Sequence, residues 1–391
     1  MKKIILSCLS LFILFTGCQN ELYKDALEDH KSDQGVYLKS NDLLQSFVAE
    51  GQDTYINDVI VNLARKTNNK VSVDIQAGSQ DQLDAYNEKN RTNYPLLPSE
   101  MYEINDQLTF ESGYTSQILP IKIKDLAFNG NSTYALPIKI KGDCTNIIPG
   151  QDETILVLEQ KIITKCLRMN GSGSEDENMF PNDFKVDQWT MEVMINRNNY
   201  RSNNRSICGT KLAKNSSNND EIYPRFGDVT IEPNQLQIKT GNSQIDVPKD
   251  KFEAKPNEWY MISFVYDGHK HYVYINGELV ADREIREGAY GLVGFWLGGL
   301  NELVREVRFW KAARTHKQIR DNVWKTIHPD SDDLLLYYPG NGKKYDHESK
   351  QITEDESMIW DWSKNENHLK LPSGAIFDNN NGEYFVFPPQ V

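Results

Sequence analysis

Breaking a glycosidic bond ordinarily takes a pair of carboxyl groups flanking it. One β-strand can supply them when they lie two residues apart, since alternation then brings them to one face. Glu192 is the nearest candidate in this sequence, and its neighbours on that face are Thr190 and Met194. No Glu-x-Asp-x-x-Glu run occurs anywhere. Asp330, Asp332 and Asp333 cluster in a loop-like segment, where acids are ordinarily solvated. Glu192 therefore reads as a strand residue, and no catalytic residue is assigned. Metal ligands are equally thin. His269 and His271 would share a strand face, but zinc needs at least one further ligand. Asp378 to Glu383 (DNNNGE) looks like a calcium loop at first. However, Gly382 falls where an oxygen-bearing side chain is needed, and the glutamate comes too early. No cofactor is expected, with calcium left open through backbone carbonyls. Nucleophile arrangements, phosphate-cradling loops and dinucleotide fingerprints are absent. Gly291, Gly294, Gly298 and Gly299 sit in strand-like context, where glycine marks a bulge or tight bend.

Aromatic residues are the remaining chemical lead, with seven Trp, nineteen Tyr and fifteen Phe. A sugar ring offers a flat apolar C–H face and a rim of hydroxyls. Its natural receptor is an exposed aromatic plate flanked by amide and charged side chains. Most rings must be core: Phe264 and Tyr266 alternate with Ile262, and Phe309 with Val307. Trp310 and Arg308 take the face opposite Val307 and Phe309, and Trp296 alternates against Phe295 and Leu297. Tyr290 precedes a glycine, and Tyr200 lies in the Asn/Arg-rich loop 196–205 with Arg197, Arg201 and Arg205. Trp296, Trp310, Tyr290, Tyr200 and Arg308 are therefore the candidate ligand-binding residues, each weighed against simple packing.

The elements that must position them are strands. WYMISFVYDGHKHYVYINGELVADREI (259–285) alternates around Asp267-Gly268 and again around Asn276-Gly277. These are strong hairpin signals, because the central turn residues must reach φ > 0. LVREVRFWKAART (303–315) adds one more strand and a short helical segment. Upstream, strand-like runs occur at 36–38, 46–49, 55–64, 71–75, 118–123, 134–140 and 154–158. Their spacing suits an immunoglobulin-like sandwich. Leu-Pro-Ile-Lys-Ile-Lys occurs at 119–124 and again at 136–141, with isoleucines on one face and lysines on the other. Pro120 and Pro137 cannot donate to a ladder, which places each at a strand start, bulge or edge. One helix interrupts the run, with a Ser79/Gln82 capping box, Leu83, Tyr86 and Asn87 on one face, and Pro95 and Pro98 expected to end it.

LDAYNEKNRTNYPLLPSEMYEI (83–104) resembles the N-terminal domain of unknown function of glycan-utilisation lipoproteins from Gram-negative gut bacteria. Some of these carry an endo-β-N-acetylglucosaminidase domain after it. The resemblance implies a spacer and carries over no catalytic residue. From 163 onward the chain resembles the laminin-G-like, concanavalin A-type jelly roll. The matching segments are Trp189–Val193, Glu258–Ile262, Tyr274–Glu278, Glu306–Trp310 with Ala313-Arg314, and Asp361–His368. Relatives of this kind often place an Asp ahead of the closing-strand Glu for calcium, but here Arg305 precedes Glu306. The expected fold is all-β: an immunoglobulin-like sandwich over 35–162 and a jelly roll over 163–391. A fold of this kind does not by itself fix function.

The N-terminal end adds location. Lys2 and Lys3 precede an apolar run, Ile4 to Phe15, too short to span a membrane, and Phe15-Thr16-Gly17-Cys18 resembles a lipobox. Cleavage would leave residues 1–17 as signal peptide, a lipid on Cys18 as membrane anchor, and 18–34 as a polar tether. Loss of the two lysines and no acid takes the formal net charge from −13 to −15. Such a chain repels nucleic acid. Three remaining thiols, Cys144, Cys166 and Cys208, allow at most one internal disulfide. Together these features point to a lipid-anchored outer-membrane protein on the surface of a Gram-negative bacterium. Its expected partners are a glycan or polysaccharide and neighbouring glycan transporters. A glycoside hydrolase or lyase acting through Glu192, and a protein-binding adhesion module, are the alternatives.

Overall fold

The computed structural model describes residues 35–39, 43–90, 92–128, 133–141, 147–213 and 219–389. Cys18, with the expected signal segment and tether, lies outside them, as does Cys144. The chain forms two compact units, Met1–Ala127 with Thr133–Glu159, and Phe128–Ser132 with Gln160–Val391.

The first unit is an antiparallel sandwich, in keeping with the immunoglobulin-like expectation. Its longest sheet runs in the order Leu43–Ala49, Glu153–Thr164, Thr133–Ile140, Val71–Ala77, Gln107–Phe110. Two expected strands are split. The run 55–64 becomes Thr54–Ile56 and Ile60–Leu63, and the run 118–123 becomes Ser116–Ile118 and Ile121–Ile123, with the pieces in different sheets. Pro120 supplies the reason for the second split, since its missing N–H lets the chain leave one sheet for another. Pro137 sits within a strand, on the side where pairing with Val71–Ala77 begins only at Ile138. Helix α1 (Gln80–Asn90) starts where Ser79 Oγ accepts the Gln82 N–H at 3.4 Å. Its buried Leu83 packs on Ala135, Ile155 and Val157. It stops well before Pro95, because Asn87 Oδ1 accepts from Thr92 Oγ1 and the Tyr94 N–H.

The second unit is built on one eight-stranded antiparallel sheet. Its strands are β1 (Cys166–Arg168), β2 (Trp189–Asn196), β3 (Trp259–Tyr266), β4 (Lys270–Ile275), β5 (Glu278–Glu284), β6 (Leu303–Trp310), β7 (Leu334–Tyr338) and β8 (Ile376–Asp378). They lie in the order β5-β4-β3-β2-β6-β1-β8, with β7 also on β6. Both expected hairpins are present: Tyr266 pairs with His271 and Ile275 with Glu278. Asn276 and Gly277 both have positive φ, and Asn276 Oδ1 accepts the Met261 N–H at 2.8 Å. Against one face of this sheet lie shorter strands. Ser174–Asp176, Gly294–Leu297 and Cys208–Lys211 form one group, and Arg205–Ser206, Ile222–Phe226, Leu236–Thr240 and Ser243–Asp246 another. Trp189, Met191, Ile262, Phe264, Phe295, Phe309, Ile222 and Ile238 fill the space between as one core. Helix α2 (His316–Asp321) follows β6, capped by a reciprocal Thr315/Gln318 box.

Candidate functional site

The face of the large sheet away from this core carries the charged residues of β6. A bulge makes that so: Glu192 pairs with Arg308 but Met194 with Arg305, so β6 holds an extra residue there. Glu306 takes φ 49°. Arg305, Glu306 and Arg308 thereby collect beside Glu192, and all four are at most 2% exposed. Arg308 reaches Glu306 Oε2 at 2.8 Å and Glu192 Oε2 at 3.4 Å. Burial alone would lower the Arg308 pKa, but the two carboxylates raise it above the ordinary value. Trp310 Nε1 donates to Glu192 at 2.9 Å, and the Tyr337 hydroxyl donates to Glu306 at 2.9 Å. Burial, then Glu306, holds the Tyr337 phenol well above its usual range, so it stays a donor. Ile319 of α2, Val323, Ile327 and Phe387 pack over this face.

Three expected ligand residues are corrected by these contacts. Trp310 and Arg308 do lie opposite Val307 and Phe309, but that face is roofed, leaving them 1% and 0% exposed. Tyr290 is also fully buried, its hydroxyl 2.5 Å from Thr240 Oγ1 and 3.0 Å from His271 Nε2. Tyr200 is half-buried, its ring against Phe226, with Arg197 stacked on it at 4.7 Å. Arg197 and Arg205 both turn to Glu302 Oε1, at 3.1 and 2.8 Å, which leaves Arg201 as the exposed arginine of that loop.

Trp296 has a different setting. It lies on the outward side of Gly294–Leu297, between Glu175 on one neighbouring strand and Gly209 on the other. A Cβ at Gly209 would stand 2.8 Å from the Trp296 ring and 2.7 Å from Tyr223 Cβ. Gly209 thus lets the indole settle onto the strand backbone, the close approach for which a strand glycine is suited. Tyr223, half-buried, braces it with ring centroids 6.0 Å apart and planes at 57°. Burial raises the Tyr223 phenol above its usual range, so it remains a neutral donor. The same face continues through Lys239 and Gln244, then through Arg225, Gln237 and Asp246. Lys211 Nζ lies 2.6 Å from Glu175 and 3.8 Å from Glu177. Arg225 Nε donates to Gln237 Oε1 at 2.6 Å and Nη1 to Asn204 Oδ1 at 2.8 Å, while Nη2 pairs with Asp228. The result is an aromatic plate with polar side chains around it.

Gly209 and Tyr223 were missed in the sequence, though both left a signal. Gly209 stands inside a strand-like run, and Tyr223 and Arg225 alternate with Ile222, Pro224 and Phe226. Glu175 and Glu177, two residues apart, were missed as an acidic pair.

Among the described residues no three His, Cys, Asp or Glu side chains gather to hold a metal ion. His269 and His271 do not share a strand face. His269 sits in the turn, 2.8 Å from Glu287, and His271 points into the core. Asp378 is taken by Arg168 at 2.6 Å. At the position where relatives carry the extra acid, Arg305 reaches Glu306 Oε1 at 2.7 Å.

Residues 172–320 match the family model of the concanavalin A-like lectin/glucanases superfamily. The second unit is a concanavalin A-like domain. Residues 30–146 match a model described as an N-terminal domain. A Bacteroides ovatus protein proposed to bind carbohydrate is 21% identical, with a TM-score of 0.50 over 87% of this chain and 96% of that one. This likeness supports the fold. A pentraxin from Limulus polyphemus is 15% identical over 52% of this chain and 97% of its own, at a TM-score of 0.35. EndoBT-3987 of Bacteroides thetaiotamicron, solved with a Man5GlcNAc product, is 17% identical over 32% and 30%, at 0.26. No curated protein matches the chain. The concanavalin A-like domain thus carries two polar, aromatic faces, one covered and one with Trp296 half-buried and Glu175 and Asp246 exposed.

Proposed function

We propose that the protein captures carbohydrate on the open face of its concanavalin A-like domain, with Trp296 as the stacking plate. The observation that carries this reading is the indole laid over Gly209 and braced by Tyr223, amid amide, carboxylate and ammonium groups. A lectin-type fold and the likeness to a Bacteroides ovatus protein proposed to bind carbohydrate support it. The finer reading is a lipid-anchored surface protein, tethered through Cys18, that presents glycan to neighbouring transporters and degrading enzymes. In it the first unit serves as spacer. Binding of the full chain to a broad glycan array, lost in Trp296→Ala, is the expected result; no binding to any glycan would count against it.

A second reading, hydrolysis, has one observation in its favour: Glu175 and Glu177 lie two residues apart beside the plate. Lys211 stands between them, so neither carboxylate is unpartnered. Glu192, the earlier candidate, is held by Arg308, Trp310 and Ser263 with no access to solvent. Binding alone therefore fits better. Product release from an array-positive glycan, abolished by Glu175→Gln, would reverse that preference.

A further inference from the structure

We infer that the ligand of the Trp296 face is an uncharged glycan, recognised through its hydroxyls and C–H faces and not through a carboxylate, sulfate or phosphate. The inference rests on the binding reading above and adds its chemical class. It follows from how the cations of that face are committed. Lys211 is shared by Glu175 and Glu177. Arg225 spends its three nitrogens on Gln237, Asn204 and Asp228 and is only 11% exposed. Lys239 donates to Gln244 Oε1 at 3.2 Å. Glu175, Glu177, Asp228 and Asp246 stand around these three cations, and the exposed Arg283 donates to the Gln244 carbonyl at 3.1 Å at the edge of the face.

An anionic sugar would have to break one of these pairs or lie beside the remaining carboxylates. Either step leaves a charge poorly compensated near a half-buried surface, and the carboxylates beside these cations repel an incoming anion. The chain as a whole reinforces this, with a formal net charge of −13. A neutral pyranose meets no such opposition. Its C–H face can lie on the indole while its hydroxyls donate to Glu175 or Asp246 and accept from Gln244 or Lys239, which keep exposed polar edges.

The test is an array pairing neutral oligosaccharides with their uronate-containing, sialylated and sulfated counterparts, probed with the full chain and with Trp296→Ala. The expected result is binding to neutral members only, lost at least tenfold in the variant. Affinity for the best neutral glycan should move less than twofold between 50 and 500 mM NaCl, as screening has little to act on. Preference for anionic members, still lost in Trp296→Ala, would overturn the inference while leaving the plate in place. Binding that survives in Trp296→Ala would overturn the plate itself, and the inference with it. If Trp296→Ala were to misfold by circular dichroism, the parent's own selectivity across the paired array supplies the reading: binding confined to neutral members keeps the inference, and preference for their anionic counterparts overturns it.

Discussion

Two faces of the concanavalin A-like domain carry much the same kinds of side chain and do opposite things with them. The outer face of the large sheet presents Glu192, Glu306, Arg305, Arg308 and Trp310. The outer face of the shorter strands presents Glu175, Lys211, Trp296, Tyr223 and Arg225. On the first, α2 and the following segment close over the charges, and every ionised group must find its partner inside. On the second the indole is half-buried, braced by Tyr223, and Glu175 and Asp246 beside it stay exposed. Composition does not separate an internal ion cluster from a recognition surface. The distinction lies in what packs on top.

The comparison can be broken most forcefully at its covered side. Arg308→Met would strand two carboxylates in the interior. It is expected to cost about 3–5 kcal/mol, read as a lower urea midpoint with an unchanged slope. Trp310→Ala belongs in the same range, since it opens a cavity and orphans Glu192. A loss below about 1 kcal/mol for either would mean that the roof is open in solution.

A smaller effect should come from the core between the sheets. Burial pushes the His271 imidazole down to about 4 from an ordinary 6.5. In the unfolded chain it takes up a proton below about 6.5, while in the fold it stays neutral until about 4. The unfolded state therefore binds more protons across that window, and stability falls as pH drops through it. The contribution is on the order of 3 kcal/mol. Urea midpoints at pH 7 and pH 4.5 should separate more for the parent than for His271→Gln; equal separations would show His271 to be accessible to protons.

The smallest loss of stability is expected on the open side. Trp296→Ala should cost about 1–2 kcal/mol, clearly less than Trp310→Ala, while removing glycan binding. Equal losses for the two tryptophans would erase the contrast between the faces.

Much of this architecture is legible in the sequence because its signals are local. Asp267-Gly268 and Asn276-Gly277 set two hairpins by turn chemistry alone. The alternation of β6 correctly divides Val307 and Phe309 from Arg308 and Trp310. Alternation says which residues share a face, however, and nothing about whether another segment lies on that face. The roof over Trp310 includes Ile327, and that over Arg305 includes Phe387, neither of them a neighbour in sequence. Arginine at 308 looks like a surface residue until Glu192 and Glu306 are brought beside it. The plate escaped for the reverse reason. Trp296 stood out as a ring, but its support is Gly209, whose contribution is the absence of a side chain.

The strand Phe385–Phe387 pairs antiparallel with Ile162–Thr164. That ladder joins the opening of the second unit to residues more than two hundred positions later, so this seam can form only after nearly all of the unit has left the ribosome. Early segments such as Ile162 and Cys166 must wait without their final neighbours. A nascent chain halted short of Phe385 would offer proteases an unzipped edge.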